Sequence, residues 1–161
     1  MMTGSLLRVG GIIESPSIAL VRMLGMPDTA GAAARAVGVF SDAGVNIEFI
    51  SESADAHGTA NLVVGISMSD MDRLDENLPR LRNVTSATTV TILTGCALLG
   101  LHGPQFGEIP GVAARFFGAL GATGVNILAI ASSLSSMCCA VSDADRNVVR
   151  KAILETFGNG R

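Results

Sequence analysis

The chain has 161 residues, of which 48% are hydrophobic and only 16% are charged, against roughly 25% charged residues in an average domain. This length suits one compact domain or two small ones, and the composition excludes a disordered chain and predicts that a partner covers part of the apolar surface. A net charge of -3 with a single lysine, Lys151, argues against nucleic acid as a partner, since nucleic-acid-binding proteins normally carry a basic patch.

The first half of the chain alternates short apolar segments with turn residues, as small α+β domains do. A predicted helix over 32–43 places Ala36, Val39, Phe40 and Ala43 on one face, and Gly44 suits its C-terminal end. The other predicted elements are a strand over 17–24, a loop over 26–31, a strand over 45–53, a hairpin turn over 55–58, a strand over 59–67, a helix from a cap at 69–72 to about 81, and a strand over 87–93.

The second half predicts the same order of elements but stops one strand short. Its elements are a strand over 96–101, a helix over 112–122, strands over 125–133 and 137–141, and a helix over 144–157. The apolar N-terminal segment 6–13 can supply the missing fourth strand, which would make the first unit an insertion within the second. In the alternative arrangement, this segment extends the edge of some other sheet.

An internal repeat indicates that the two halves share one fold. Residues 31–53 align with residues 111–133 at an offset of 80, and eleven of the 23 aligned positions are identical. Self-similarity at a fixed offset is the signature of repeated structural units. The order βαββαβ predicts an α+β fold of two ferredoxin-like units, with antiparallel sheets and helices on one face. The first unit, 15–94, would be inserted in the second, formed by 6–14 and 95–161.

No segment predicts membrane insertion, secretion or a metal centre. The uncharged stretches 83–107 and 116–142 are interrupted by polar residues and glycine, and the N-terminus lacks the pattern of a signal peptide. Cys96, Cys138 and Cys139 lack metal-ligand spacing, as do the two histidines, and the adjacent pair would point to opposite faces of a strand. We therefore expect a cytoplasmic protein with no metal, no cofactor and no membrane partner.

Two sets of motifs resemble a known family. The first unit resembles an ACT domain in the segments MPDTAG (26–31) and GVNI (44–47). The second resembles the second ACT unit of aspartate kinases in PGV (110–112), GVNI (124–127), SS (132–133) and AILETF (152–157). The resemblance covers residues 6–161 and is to the regulatory β-subunit or the C-terminal regulatory region of aspartate kinase. It implies a non-catalytic homodimer that binds lysine or threonine and restrains a kinase catalytic domain or subunit.

The loop before the first helix has features of an amino-acid site. A glycine-bearing loop that opens onto a helix offers free backbone amides and the positive end of the helix dipole to a carboxylate. Strand alternation is expected to place Asn46, Glu48, Ile50 and Glu52 on the open face of the sheet, where the carboxylates can hold an ammonium group, and 45, 47, 49 and 51 on the face against the helices. The candidate ligand-binding residues are Asp28, Thr29, Gly31, Ala32, Asn46, Ile47, Glu48 and Glu52, and all of them except Thr29 match effector positions of the family.

The second unit differs at these positions. Leu128 and Ser132 replace Glu48 and Glu52, and the apolar strand with Leu128 and Ile130 predicts a sheet-to-sheet interface. The family usually has glutamine at the position of Glu52 in threonine-sensing subunits, so the ligand preference can differ here. The loop over 103–110 is longer than the usual loop of the family, which argues against effector binding in the second unit.

Three functions compete at this point. In the first, an amino acid bound at the 28–31 loop changes how two chains pair and so regulates a catalytic partner. In the second, the chain is an ACT-like structural or dimerisation module without effector binding, and the two acidic strand residues are only a solvated face. A small ferredoxin-like enzyme is disfavoured, because phosphate-loop and nucleophile-elbow motifs are missing and no acid–base pair converges.

Overall fold

The computed structural model describes residues 9–104 and 106–158, and this part of the chain contains six strands and four α-helices. They are β1 (Gly11–Pro27), α1 (Ala32–Asp42), β2 (Ile47–Ala54), β3 (Thr59–Ser67), α2 (Met71–Thr85), β4 (Thr89–His102), α3 (Val112–Ala122), β5 (Ala129–Ser132), β6 (Ser136–Ser142) and α4 (Arg146–Phe157). The chain divides into two compact units. The first unit is Ser17–Cys96, and the second unit consists of the described residues up to Pro16 and from Ala97 onward.

The first unit is a four-stranded antiparallel sheet with α1 and α2 on one face. Its strands lie in the order β2-β3-β1-β4, which is the ferredoxin-like order for a βαββαβ unit. Val21 of β1 and Val64 of β3 are register partners, and both side chains are fully buried under the helices. Phe40 of α1 and Leu74 and Leu81 of α2 complete this core. Burial of these apolar side chains is the main stabilising term for the unit.

The second unit has the same strand order, β1-β4-β6-β5, with α3 and α4 over its core. The N-terminal part of β1 is its fourth strand, and the Gly10 amide donates to the His102 carbonyl at 2.7 Å beside it. Glu14 of this strand accepts a 3.0 Å hydrogen bond from Arg150 of α4. Insertion of the first unit within the second is therefore confirmed, although residues 6–8 of the predicted strand lie outside the described residues.

Two strands are longer than the sequence predicts. β1 and β4 are each one continuous strand where turn residues suggest two separate strands. Pro16, Gly25 and Gly95 are residue types that commonly end strands, yet they lie inside β1 and β4. The predicted loop over 26–31 starts two residues late, because Met26 and Pro27 pair with β3. Each of the two long strands therefore contributes residues to both units.

Other observed elements differ from the predicted ones at the end of α2, in the length of β5 and at a helix cap. α3 and β3 agree with prediction, whereas α2 continues four residues further to Thr85 and β5 is about half its predicted length. The cap predicted at 69–72 is displaced. Ser67 accepts a hydrogen bond from the Ser69 amide, while Asp70 pairs with Arg73 at 2.9 Å and caps no backbone amide. The cap is at Ser67 because its hydroxyl accepts a backbone amide, while the Asp70 carboxylate is used by Arg73.

The described residues form α-helices of 11 to 15 residues. Within these residues, no helix combines the length and the apolar character that crossing a bilayer requires. α2, at 15 residues, is the longest described helix, and a transmembrane helix needs roughly 20 mostly apolar residues.

Candidate functional site

The loop between β1 and α1 presents backbone amides at the start of a helix. Gly31 has φ 80°, a left-handed conformation that favours glycine, and it leads the chain into α1. Among the described residues, no acceptor receives the amides of Ala33 and Ala34. Unpaired amides and the positive end of the helix dipole together attract an anion. This end of α1 therefore suits the carboxylate of a small ligand.

Hydrogen bonds fix the same loop in place. The Asp28 amide donates to the Gly58 carbonyl at 3.0 Å, which ties the loop to the turn between β2 and β3. Arg35 folds back from α1, so that Nη2 donates to the Thr29 hydroxyl at 3.0 Å and Nη1 to the Ala30 carbonyl at 3.3 Å. The side chain of Asp28 stays exposed to solvent. The loop thus offers an exposed carboxylate beside an arginine that already makes hydrogen bonds to the loop.

A β-bulge in β2 reverses the faces predicted for the rest of that strand. The register with β3 shifts by one residue between Ile47 and Phe49. Since side chains alternate between faces, a one-residue shift moves every later side chain to the other face. Glu52 pairs with Leu62, a core residue under the helices. The prediction that Ile50 and Glu52 lie on the open face is therefore wrong.

Residues on either side of the bulge show the same reversal. Val45 and Ile47 precede it and pack against the helix-side core, as predicted. Phe49 and Ser51 follow it and lie on the face opposite the helices. Gly65 has no Cβ, but a Cβ added there would point to this opposite face of β3 and would lie 2.8 Å from the Phe49 Cβ. Phe49 therefore lies on the same face. Strand alternation alone cannot anticipate an extra residue in the ladder.

The eight predicted site residues form two groups at opposite ends of the first unit's sheet. The loop follows Pro27, which pairs with Thr59 at the start of β3, whereas Ile47 pairs with Ile66 near its end. Seven residues of strand separate these levels, or about 20 Å at roughly 3.3 Å per residue. The loop-end group is Asp28, Thr29, Gly31, Ala32 and Glu52, of which Glu52 pairs with Leu62 nearer the middle of β3, and the far group is Asn46, Ile47 and Glu48. One chain does not bring the two groups together within this unit.

The second unit has a cavity of about 350 Å³ where the repeat offset places the loop-end group. Residues 106–113 line it, together with Ser132, Ser133 and Met137. The counterparts of Asp28, Thr29, Gly31, Ala32 and Glu52 are Glu108, Ile109, Gly111, Val112 and Ser132, and all five line this cavity. The counterparts of the far group do not line it. The repeat therefore supports grouping Glu52 with the loop.

Residue types and spacing do not predict this cavity. The loop of the second unit is longer than is usual in the family, which argued against a site. The extra residues, however, precede Phe106, and from Phe106 onward the two units align at the offset of 80 residues. Met26 and Phe106 are both buried counterparts, and Asp28 and Glu108 are both acidic. The available signal was an acidic residue that lies three residues before a glycine in both units. Met137, which also lines the cavity, gave no signal in the sequence.

The edge strand of the second unit also differs from prediction. Ile130 pairs with Cys139, a core residue on the helix side of the sheet. The predicted sheet-to-sheet interface through Leu128 and Ile130 is therefore wrong for Ile130, which lies on the helix-side face and is 45% exposed at the edge of the sheet. Leu128 donates its amide to the Ala140 carbonyl at 2.8 Å.

Two of the three cysteines, Cys138 and Cys139, are neighbouring thiols that burial keeps protonated. None of the three forms a disulfide, and burial raises the pKa of Cys138 to about 11. Burial, together with the neighbouring thiol, raises the pKa of Cys139 to about 12. Both thiols are therefore protonated at neutral pH, when a metal ligand or nucleophile would be a thiolate. In the part of the chain that the structure describes, no three His, Cys, Asp or Glu residues cluster as metal ligands.

Two family models match the two units. A model of the ACT domain matches residues 20–85, and a second ACT-domain model matches residues 100–157. The chain belongs to the ACT-domain family. Each match falls on one ferredoxin-like unit, so the fold and the resemblance noted in the sequence are both confirmed.

Curated relatives of this ACT protein are aspartokinases. The aspartokinase of Mycobacterium tuberculosis is 31% identical over 154 residues, which is 93% of this chain and 36% of that protein. The aspartokinase of Corynebacterium efficiens is 28% identical over 152 residues, again 93% of this chain and 36% of the relative. The chain thus spans about a third of the length of the aspartokinases that it matches.

Solved structures with the same fold include regulatory parts of aspartate kinases. The ligand-free regulatory subunit from Thermus thermophilus superposes with a TM-score of 0.81 at 20% identity, over 93% of this chain and 99% of the subunit. Escherichia coli aspartokinase III in complex with lysine and aspartate has a TM-score of 0.68 at 18% identity, over 96% of this chain and 34% of that chain. At these identities, the likeness shows the fold alone.

Proposed function

We propose that this chain is a non-catalytic regulatory module that binds lysine or threonine and transmits feedback inhibition to an aspartate kinase catalytic domain or subunit in the cytoplasm. The similarity to aspartokinases over 93% of the chain carries the proposal, because the matched region holds two ACT domains. In this proposal the first unit spans 15–94, and the second unit consists of 6–14 and 95–161. The effector would bind in the first unit and act by favouring one arrangement of the assembly over another.

The loop-end group of the first unit would hold the effector. The amides of Ala33 and Ala34 suit its carboxylate, and the exposed Asp28 suits its α-ammonium group. Glu52 supplies a second carboxylate on the helix side of the sheet, where it pairs with Leu62, three residues of β3 from the level of the loop. Two acidic groups favour lysine over threonine, since lysine carries a second ammonium group. Thr29, Gly31 and Ala32 would shape the pocket.

The far group, Asn46, Ile47 and Glu48, can join this site only through a second copy of the chain. It lies about 20 Å along the sheet from the loop, at the level where Ile47 pairs with Ile66. A homodimer that sets the start of β2 in one copy beside the loop of the other would complete an eight-residue site. Ligand binding would then depend on how the two copies pair, and so could change that pairing.

Calorimetric titration with L-lysine and L-threonine tests the proposal. We expect L-lysine to bind more tightly than L-threonine, and Asp28→Asn to weaken lysine binding about tenfold or more by removing a charge-assisted contact. Glu108→Gln, the matched change in the second unit, should leave lysine binding unchanged. If neither amino acid binds at millimolar concentration, the sensing function is wrong for this chain.

A structural or dimerisation module without effector binding is the second candidate. Arg35 favours it, because its guanidinium already makes hydrogen bonds to Thr29 and Ala30 in the loop that would receive a ligand. Analytical ultracentrifugation with and without 10 mM-scale lysine separates the two functions. A dimer whose sedimentation and stability are the same in both conditions, and the same for Asp28→Asn, supports the assembly module. A lysine-dependent shift that Asp28→Asn abolishes supports the sensor.

A further inference from the structure

We propose that Asn61 of β3 is a positioning residue for the effector loop, residues 28–31, because its side chain holds a bulge in β1 that sets how this loop leaves the sheet. Asn61 lies outside the eight candidate ligand-binding residues and acts through the backbone of β1. The expected effect on lysine binding rests on the proposed function, whereas the effect on the loop depends only on contacts within the first unit.

A bulge interrupts β1 just before the effector loop. The register with β3 shifts by one residue between Met23 and Met26. Two residues of β1, at positions 24 and 25, therefore lie opposite the single residue Asn61 of β3. Gly25 has φ 65°, a left-handed conformation that favours glycine. The ladder of backbone hydrogen bonds is locally disrupted at such a bulge, so its amides need other acceptors.

The bulge sets the face on which β1 continues toward the loop. Met23 and Met26 are three residues apart, so regular alternation would place them on opposite faces of the sheet. Both are nevertheless buried in the core under the helices. The extra residue has therefore reversed the alternation before the effector loop begins. Because the Asp28 amide then reaches the Gly58 carbonyl at 3.0 Å, loss of the bulge would displace this contact.

The Asn61 side chain supplies an acceptor at the bulge. Its Oδ1 accepts a hydrogen bond from the Gly25 amide at 3.0 Å, in a half-buried position. Asparagine is depleted in strands, yet Asn61 stands between two core residues of β3, Ala60 and Leu62. An amide without an acceptor at this position would cost free energy, so the hydrogen bond favours the bulge over regular pairing.

The contacts on the other side of Gly25 are longer. Thr88, just before β4, donates its amide and its hydroxyl to the Gly25 carbonyl, both at 3.4 Å. Hydrogen bonds of this length are weaker, so the 3.0 Å bond to Asn61 is the stronger constraint. A Cβ at Gly25 would lie 2.7 Å from the Thr88 Oγ1, so a larger residue at position 25 would have to displace Thr88. Asn61 is therefore the side chain whose loss should release the bulge.

Amide hydrogen exchange, measured by NMR on the ligand-free chain, tests the control of the loop. We expect Asn61→Leu to speed exchange at Gly25 and Asp28 about threefold to tenfold, because it removes one hydrogen bond. A merely structural loss would speed exchange at Val64 in the core as well, whereas we expect Val64 to keep its protection. Asn61→Asp keeps an acceptor oxygen and should retain slow exchange. Asn77→Leu, which removes an exposed asparagine of α2, is the matched control and should change neither amide.

Calorimetric titration with L-lysine tests the consequence for binding. The apparent affinity falls with the fraction of loops in the competent conformation, so Asn61→Leu should weaken lysine binding about threefold or more, and Asn61→Asp should not. If the unmodified chain binds no lysine, the proposed function is wrong, and the exchange rates still decide the role of Asn61. Unchanged exchange at Gly25 and Asp28 in Asn61→Leu would overturn the inference, as would full lysine affinity in a variant whose loop exchanges faster.

Two further variants keep the result decisive. Asn61→Ala removes the same acceptor without adding bulk, so the rise in exchange should also occur there if leucine prevents folding. Thr88→Ala removes only the longer hydroxyl contact and should speed exchange at Gly25 less than Asn61→Ala does. A larger effect of Thr88→Ala would contradict the role given to Asn61.

Discussion

Arg35 donates a hydrogen bond to the Thr29 hydroxyl at 3.0 Å across the start of α1. Its counterpart Arg115 instead joins α3 to the last turn of α4, through the Thr156 carbonyl and the face of Phe157. The same residue type thus organises a loop in one unit and packs two helices together in the other. Replacing each arginine should therefore lower the free energy of unfolding by different amounts.

Arg115→Ala should destabilise the protein more than Arg35→Ala does. The first change removes a hydrogen bond and a cation–π contact that join two elements, and we expect it to lower the free energy of unfolding by about 1–2 kcal/mol. The second removes exposed hydrogen bonds within one loop and should cost less than about 1 kcal/mol. Urea unfolding of both variants gives the comparison. Equal losses would contradict the structural difference between the two arginines.

The packing of β6 against Gly100 of β4 predicts a severe variant. A Cβ at Gly100 in β4 would lie 2.2 Å from the Met137 carbonyl oxygen and 2.8 Å from the Cys138 Cα, so β4 and β6 would have to separate. Gly100→Ala should therefore lower the free energy of unfolding by about 3 kcal/mol, or prevent folding. Gly118→Ala in α3 meets no atom within 4 Å and should stabilise by about 0.5–1 kcal/mol. An unchanged urea midpoint for Gly100→Ala would show that the strands are not so close.

The repeat made much of this fold predictable. Identical residues at an offset of 80 imply identical local structure, and both units have the same strand order around an equivalent core. The helix after Gly111 and the strand from Thr59 were predicted with their observed bounds. The structure of an element with a clear apolar face is determined by residues that are close in the sequence. The sequence alone was therefore sufficient for these two elements.

The candidate site was less predictable, because it depends on pairing between strands. The bulge after Ile47 has no signal in the alternation of β2, yet it moves Glu52 to the helix side of the sheet. Gly25 and Gly95 resemble strand ends in sequence, but hydrogen bonds with neighbouring strands continue past them. The cavity depends in the same way on how the loop over 106–113 packs against β5, which residue spacing does not reveal.

The buried thiols of β6 predict a loss of stability at alkaline pH. Burial raises the pKa of Cys138 to about 11 and that of Cys139 to about 12, from an ordinary value of 9.0, so the folded state disfavours the thiolates. The stability is fully present below pH 9 and falls as the pH rises from 9 toward 11, because the unfolded chain loses these protons first. We expect a loss of about 1 kcal/mol for each thiol between pH 8 and pH 10.

The composition of the chain makes this measurement unusually clean. It has no tyrosine, and Lys151 is its single lysine, so Cys96 is the main other side chain whose ordinary titration range lies between pH 8 and pH 10. Replacing Cys138 and Cys139 by alanine should flatten the pH dependence of the urea midpoint, whereas Lys151→Arg, which keeps its charge, should leave the slope unchanged. A slope that is undiminished in the double alanine variant would assign the alkaline loss to other groups, Cys96 included, and contradict the burial of these two thiols.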